Sequence, residues 1–295
     1  MNGIIPLWKP KGLTSHDCVV KIRKLLHTKK VGHTGTLDPA AEGVLPICIG
    51  QATKIVPFLT DTNKTYLAEV SLGAATETED ATGDVVEQQT VDKRPAQEEI
   101  ERVLASFTGE VTQIPPMYSA VKVNGKKLYE YARANEAVDR PQRTIIIDEL
   151  TFLGFTSDTS FRIKVICSKG TYIRTLCVDI GKALGYPAHM SDLTRTATGA
   201  IDQDDAITLD TIALEAEKGN AEKLLLPITR GLTHLDSIIV DDDMKKRVLF
   251  GQKLAKPDKQ PKSDPFVLMH QGEVLAIYQI HPENDQQMKP VRVFS

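Results

Sequence analysis

Residues 32–46 read Gly-His-Thr-Gly-Thr-Leu-Asp-Pro-Ala-Ala-Glu-Gly-Val-Leu-Pro. The glycines open backbone shapes that other residues resist, while Pro39 and Pro46 fix the chain beside Asp38 and after Leu45. Asp38 is flanked by neutral residues, and His33 precedes it by five positions. A rigid loop that presents one acid suits covalent catalysis by a carboxylate. The same pattern also fits an ordinary Asp-Pro turn, and a lone His33 fits a loop or core histidine. A phosphate cradle is excluded, because G-x-x-x-x-G-K-[ST] is absent here and at 50–54. The seven histidines show no H-x-x-x-H spacing, and Cys18, Cys48, Cys167 and Cys177 form no C-x-x-C pair. No metal site is therefore expected, and four free thiols suit a reducing, cytoplasmic compartment.

The elements that must position this loop are legible in part. Ile4–Trp8 reads as a strand ended by the turn 9–12. Ser15 reads as a helix cap, and Val19, Ile22, Leu25 and Leu26 set a helical period over 16–27. Val31–Pro46 reads as loop and Thr65–Leu72 as a strand. Pro95–Phe107 reads as a helix stopped by Gly109. Tyr118–Val123, the turn Asn124-Gly125 and Lys126–Arg133 form a compact basic unit. Arg143–Asp148 and Phe161–Cys167 read as strands, and 171–184 as a helix stopped by Gly185. A helix over 209–218 is expected to be capped by Thr208.

From about residue 233 the texture changes. A short helix (241–250) precedes a Lys/Pro/Asp-rich stretch (256–265) and strands at 266–269, 274–280 and 291–294. The expected division is 1–232 and a small β-rich module, 233–295. Strands and helices mix without regular alternation, which favours an α+β fold. No apolar run approaches the ~20 residues that span a bilayer, and Met1–Pro10 lacks the pattern of a signal peptide. Monomer is the default expectation.

Net charge is −3, which taken as an average argues against a polyanion partner. The average hides a pattern. Residues 1–66 carry nine Lys/Arg against four Asp/Glu, and residues 122–174 carry ten against six. Residues 67–121 carry three against eleven. Two basic blocks thus bracket an acidic one, so the average does not exclude a polyanion partner, whereas a small basic histone-like role is excluded.

Here the motifs become specific. The loop 32–46 resembles the catalytic motif of the TruB-type tRNA pseudouridine synthases. Residues 8–15 (Trp-Lys-Pro-Lys-Gly-Leu-Thr-Ser) resemble that family's N-terminal motif, and Lys64-Thr65-Tyr66 its basic-x-Tyr strand. Residues 116–120 and 125–129 resemble its RNA-gripping insertion, placed at about 115–143. Residues 168–175 resemble its third active-site motif, and Leu193-Thr194-Arg195 a pocket-closing Leu-x-Arg. These blocks run in family order to about Gly199.

The resemblance implies a pseudouridine synthase fold, with a mixed, mostly antiparallel central sheet flanked by helices, and a tail that is a PUA-like RNA-binding module. It implies isomerisation of a T-loop uridine (position 55) of tRNA to pseudouridine, with base flipping and no cofactor. Asp38 would be the nucleophile, and Arg174 its partner, since a nearby opposite charge keeps an acid ionised. Tyr66, Tyr172 and Leu193 would line the flipped base, and His33 would hold the space it leaves. Lys9 would support the active-site loop. Lys122, Lys126, Lys127, Arg133, Arg140 and Arg143 would contact RNA phosphates. The acidic segment would then face away from RNA. The alternative is a tRNA-binding or tRNA-folding protein whose isomerase activity is secondary. A hydrolase using an Asp nucleophile would want a second acid beside it, and Asp38-Pro39-Ala40 has none.

Overall fold

The computed structural model describes residues 1–257 and 259–294. Asp258, inside the Lys/Pro/Asp-rich stretch, and Ser295 lie outside them. The chain builds a nine-stranded sheet and a five-stranded C-terminal sheet with helices packed between and around them. The main path of the large sheet runs Gly3–Lys9, Glu42–Ile49, Ala188–Thr198, Lys64–Leu72, Ser160–Cys167, Arg143–Phe155, Gly109–Gln113. All neighbours are antiparallel except Glu42–Ile49 beside Ala188–Thr198, so the sheet is mixed and mostly antiparallel. Among the described residues no helix is long and apolar enough to cross a membrane.

Two strands of this sheet escape a reading by alternation. Val31–His33 and the first five residues of Glu42–Ile49 lie within Val31–Pro46, which reads as loop. Glu42–Ile49 is buried on both faces, so it shows a run rather than an alternation. Ile5, Leu7, Leu45, Ile47 and Ile49 pack on the helices Ser15–Leu25 and Leu209–Glu217. Ile4, Val44 and Cys48 pack on Val267 and Ile277 of the tail. Pro46 sits opposite Pro6, a pairing that needs no ladder hydrogen bond between the two. Ala188–Thr198 is also a strand, and a central one, although its polar residues gave no strand signal.

Other boundaries shift for identifiable reasons. Thr14, not Ser15, caps the first helix, through a reciprocal capping box with Asp17. The helix expected from 171 starts at Ile173, with Tyr172 as its extended N-cap residue. The strand from Arg143 continues to Phe155 through two bulges. The last strand spans Asn284–Val293 rather than only 291–294. The caps Thr208 and Asp241 each accept a backbone N–H of the helix they start. The tail is tied to the body as well as packed on it, since Lys54 Nζ donates to the Val293 carbonyl at 2.6 Å.

Gly43 shows how tightly the sheet closes around the loop. Its φ is +118°, and it stands opposite Arg195 in the parallel pair. A Cβ there would lie 2.2 Å from the Arg195 carbonyl oxygen. Gly43→Ala is therefore expected to cost more than about 2 kcal/mol of folding stability. A denaturation midpoint unchanged from wild type would show that the strands do not need this contact.

Candidate active site

Asp38 is held by its neighbours rather than by its own burial. Leu37 is buried in the core beneath the sheet, which is worth about 1.5–3 kcal/mol. The Ser15 hydroxyl clamps Leu37 twice, accepting from its N–H at 2.9 Å and donating to its carbonyl at 3.2 Å. Lys9 is fully buried and donates to the carbonyls of Leu13 and Ala41, both at 2.7 Å, and of Pro10 at 2.9 Å and Pro39 at 3.4 Å. Gly12 N–H also donates to the Pro39 carbonyl. Burial pulls the Lys9 pKa below its ordinary value. The carbonyls around it favour the ammonium, so Lys9 ties the Asp38 loop to the first strand and its turn.

The Asp38 carboxylate, 37% exposed, meets the buried Arg174, with Nε 3.0 Å from Oδ2. The other two guanidinium nitrogens are also used. Nη1 donates to the Thr78 carbonyl at 3.0 Å and Nη2 to the Tyr118 carbonyl at 3.1 Å. One side chain thus joins the Asp38 loop, the acidic turn and the basic insertion. Part of the acidic segment 67–121 thus reaches Arg174 through backbone carbonyls. Next to Thr78, Glu79 accepts from Thr175 Oγ1 at 2.6 Å. Burial raises the Glu79 pKa.

A cleft of about 430 Å³ opens at the Asp38–Arg174 pair. Tyr66, Tyr172 and Leu193 line it together with Asp38 and Arg174. Strand alternation explains the convergence, because Lys64, Tyr66 and Ala68 share the face that Leu193 reaches from the adjacent strand. Tyr66 is buried, and burial raises its pKa while the nearby Arg195 charge opposes the rise. Tyr172 is gripped through its backbone by Gln113, which accepts from its N–H at 2.8 Å and donates to its carbonyl at 3.0 Å.

His33 does not line the cleft. It ends the short strand Val31–His33, and burial, reinforced by Arg195, lowers its pKa. The expected phosphate-contacting cations also lie outside the cleft lining. Lys126 pairs with Glu136 at 2.7 Å and lies over the Tyr131 ring, and Arg133 lies over the Tyr129 ring. Lys127 reaches the Tyr129 hydroxyl, Arg140 donates to the Pro115 carbonyl, and Lys122 and Arg143 are exposed.

Four side chains at the site make contacts that the sequence reading did not foresee. Arg195 is fully buried, donates to the Val44 carbonyl at 2.7 Å and the Gly35 carbonyl at 3.2 Å, and lines the cleft. Lys64 lines it too and donates to the carbonyls of Thr60 and Thr62. The signal for both was a period of two, since Lys64 precedes Tyr66 and Arg195 follows Leu193 by two positions. Ser15 and Gln113 act on backbone groups far away in sequence, and no local pattern marks those partners.

Burial drops the Lys64 pKa to about 8, with Arg195 adding to the effect. Unfolded, Lys64 binds its proton up to its ordinary 10.5. Between these values the unfolded chain holds more protons, so this lysine makes stability rise with pH. The stability difference between wild type and Lys64→Met is therefore expected to shift toward wild type from about pH 8 to 10.5. Parallel pH–stability curves would contradict this.

Residues 23–173 match the TruB family pseudouridylate synthase N-terminal domain, and residues 174–239 match the tRNA pseudouridylate synthase B C-terminal domain. The tRNA pseudouridine synthase B of Oceanobacillus iheyensis is 64% identical over 100% of this chain and 98% of that protein. That of Bacillus subtilis is 52% identical over 99% of this chain and 97% of that protein. Among solved structures, a Cbf5-Nop10-Gar1 complex contains a chain similar over 99% of this one and 83% of its own length. Its TM-score is 0.74 and its identity 29%. An H/ACA RNP bound to a substrate RNA containing 2'-deoxyuridine gives 0.75 and 26%, over 99% of this chain and 85% of that one. The fold is that of a pseudouridylate synthase. The chain belongs to the TruB family of these isomerases.

Proposed function

We propose that this enzyme converts a T-loop uridine (position 55) of tRNA to pseudouridine, with Asp38 as nucleophile and no cofactor. The observation that carries the reading is the Asp38–Arg174 pair at the cleft. It offers one ionisable oxygen set, positioned from three sides, beside an aromatic and aliphatic wall. The reaction needs little more. The N1–C1′ bond breaks, the uracil turns, C5 bonds to C1′, the C5 proton leaves and N1 gains one. No atoms or electrons are gained or lost overall. A carboxylate assists by attacking C1′ or C6, or by removing a C2′ proton.

The uracil must leave its stack to reach this cleft. Tyr66, Tyr172 and Leu193 would receive it, and His33 would hold nucleotides near the space it leaves. Arg174 would keep Asp38 aimed, and Lys9 would hold the loop. Lys122, Lys126, Lys127, Arg133, Arg140 and Arg143 would carry backbone contacts from the insertion at about 115–143. Residues 1–232 would form the catalytic domain, and 233–295 a PUA-like module that adds RNA contacts. The enzyme would work as a cytoplasmic monomer.

The test is incubation with an unmodified tRNA transcript, without added cofactor or metal. Pseudouridine is mapped by carbodiimide-dependent primer extension. The expected result is conversion at one T-loop uridine. A wild-type protein that binds tRNA but leaves every uridine unchanged would make it a binding or folding protein instead.

A further inference from the structure

Ser119 stands on the cleft wall between Tyr118 and Ala120. It is 6% exposed, and its hydroxyl oxygen is buried without a hydrogen-bond partner among the described residues. The backbone of the same residue is fully engaged. Its N–H donates to the Met117 carbonyl at 3.0 Å, and its carbonyl accepts from Tyr129 N–H at 3.1 Å. The carbonyl just before it, that of Tyr118, is the one held by Arg174. The backbone that carries the hydroxyl is thus fixed, one residue on from the carbonyl that Arg174 holds.

A buried hydroxyl left unpaired weakens the fold, and alanine would avoid that cost. Such a group makes physical sense where a ligand supplies the partner. A serine hydroxyl brings one donor and two acceptor positions. Lys122, Lys126 and Lys127 follow within eight residues, and cations suit the sugar-phosphate chain rather than uracil. We propose that the Ser119 hydroxyl is an RNA recognition group that pairs, only when RNA is bound, with a backbone oxygen of the nucleotide in the cleft or of its immediate neighbour. The proposal rests on the reading of the cleft as a uridine site.

The experiment compares wild type with Ser119→Ala by thermal unfolding and by single-turnover pseudouridine formation on tRNA transcript. The expected result is a melting temperature equal to or above wild type, with the single-turnover rate at subsaturating enzyme lowered about tenfold. That combination separates a ligand role from a structural one, which would lower both. A lower melting temperature would mean the hydroxyl already has a partner in the free protein, and would overturn the proposal. Activity within twofold of wild type would also overturn it. Transcripts with one 2′-deoxy or one methylphosphonate substitution around the target uridine then separate ribose from phosphate. At the contacted oxygen, wild type should lose about tenfold and Ser119→Ala nothing further. Losses that multiply at every such position would sink the assignment. If wild type makes no pseudouridine on the unaltered transcript, the reading of the cleft fails and the proposal with it. If wild type is active and Ser119→Ala is equally so, the proposal fails alone.

Discussion

Asp38→Asn is expected to lower single-turnover pseudouridine formation by at least about 10⁴-fold, the scale on which loss of a nucleophile falls in other enzymes. The substitution is nearly isosteric. Its amide oxygen can still accept from Arg174 Nε, which now lies 3.0 Å from the carboxylate. The anchors of the loop are untouched, since Ser15 and Lys9 bind backbone groups of Leu37, Pro39 and Ala41. The fold should therefore persist, and the loss should be one of chemistry. RNA binding should be retained or slightly tightened, because the change removes a negative charge from a site that receives a polyanion. Filter binding and the single-turnover rate, measured on one preparation, check both halves. Activity above about 1% of wild type would sink the nucleophile assignment.

Arg174→Lys keeps the charge and is expected to lose about 10²–10³-fold in rate. The guanidinium serves three directions at once, toward Asp38, Thr78 and Tyr118. A lysine ammonium is a point charge on a flexible stem and cannot span this fork. Two carbonyls lose a charge-assisted partner, at a cost of about 1–3 kcal/mol each where they stay unpaired. The variant should therefore unfold at lower denaturant, with an unchanged slope against denaturant concentration. It should also keep RNA affinity better than rate, because the cations of the insertion remain. A variant with wild-type rate would show that Asp38 does not need this partner to hold its aim.

How much of this could be read from the chain follows from the range of each interaction. Asp38, Tyr66, Tyr172, Arg174 and Leu193 were identified through motifs, and the structure brings all five to one cleft. The amphipathic helices at Ser15–Leu25 and Leu209–Glu217 were visible because each buries one stripe. Glu42–Ile49 was not, because a strand buried on both faces loses its alternation. Ala188–Thr198 was missed for the opposite reason. Its polar residues have partners elsewhere in the fold, such as Arg195 with the carbonyls of Val44 and Gly35 and Ser191 with Glu69.

By itself the sequence determined which residue types would meet. It placed one acid in a glycine- and proline-rich loop, one tyrosine on a strand, and a second tyrosine and an arginine near a helix start. It also held two basic blocks that a net charge of −3 conceals. Only the tertiary structure decided what holds them. Lys9 reaches carbonyls 30 and 32 residues away, Gln113 grips Tyr172 across 59, and Arg195 is fixed by a carbonyl 151 residues distant. Local patterns encode φ, ψ and periodicity, whereas these bonds join a side chain to a backbone group on another strand or loop. Almost any residue supplies a carbonyl, so the partner carries no sequence mark until the sheet has paired.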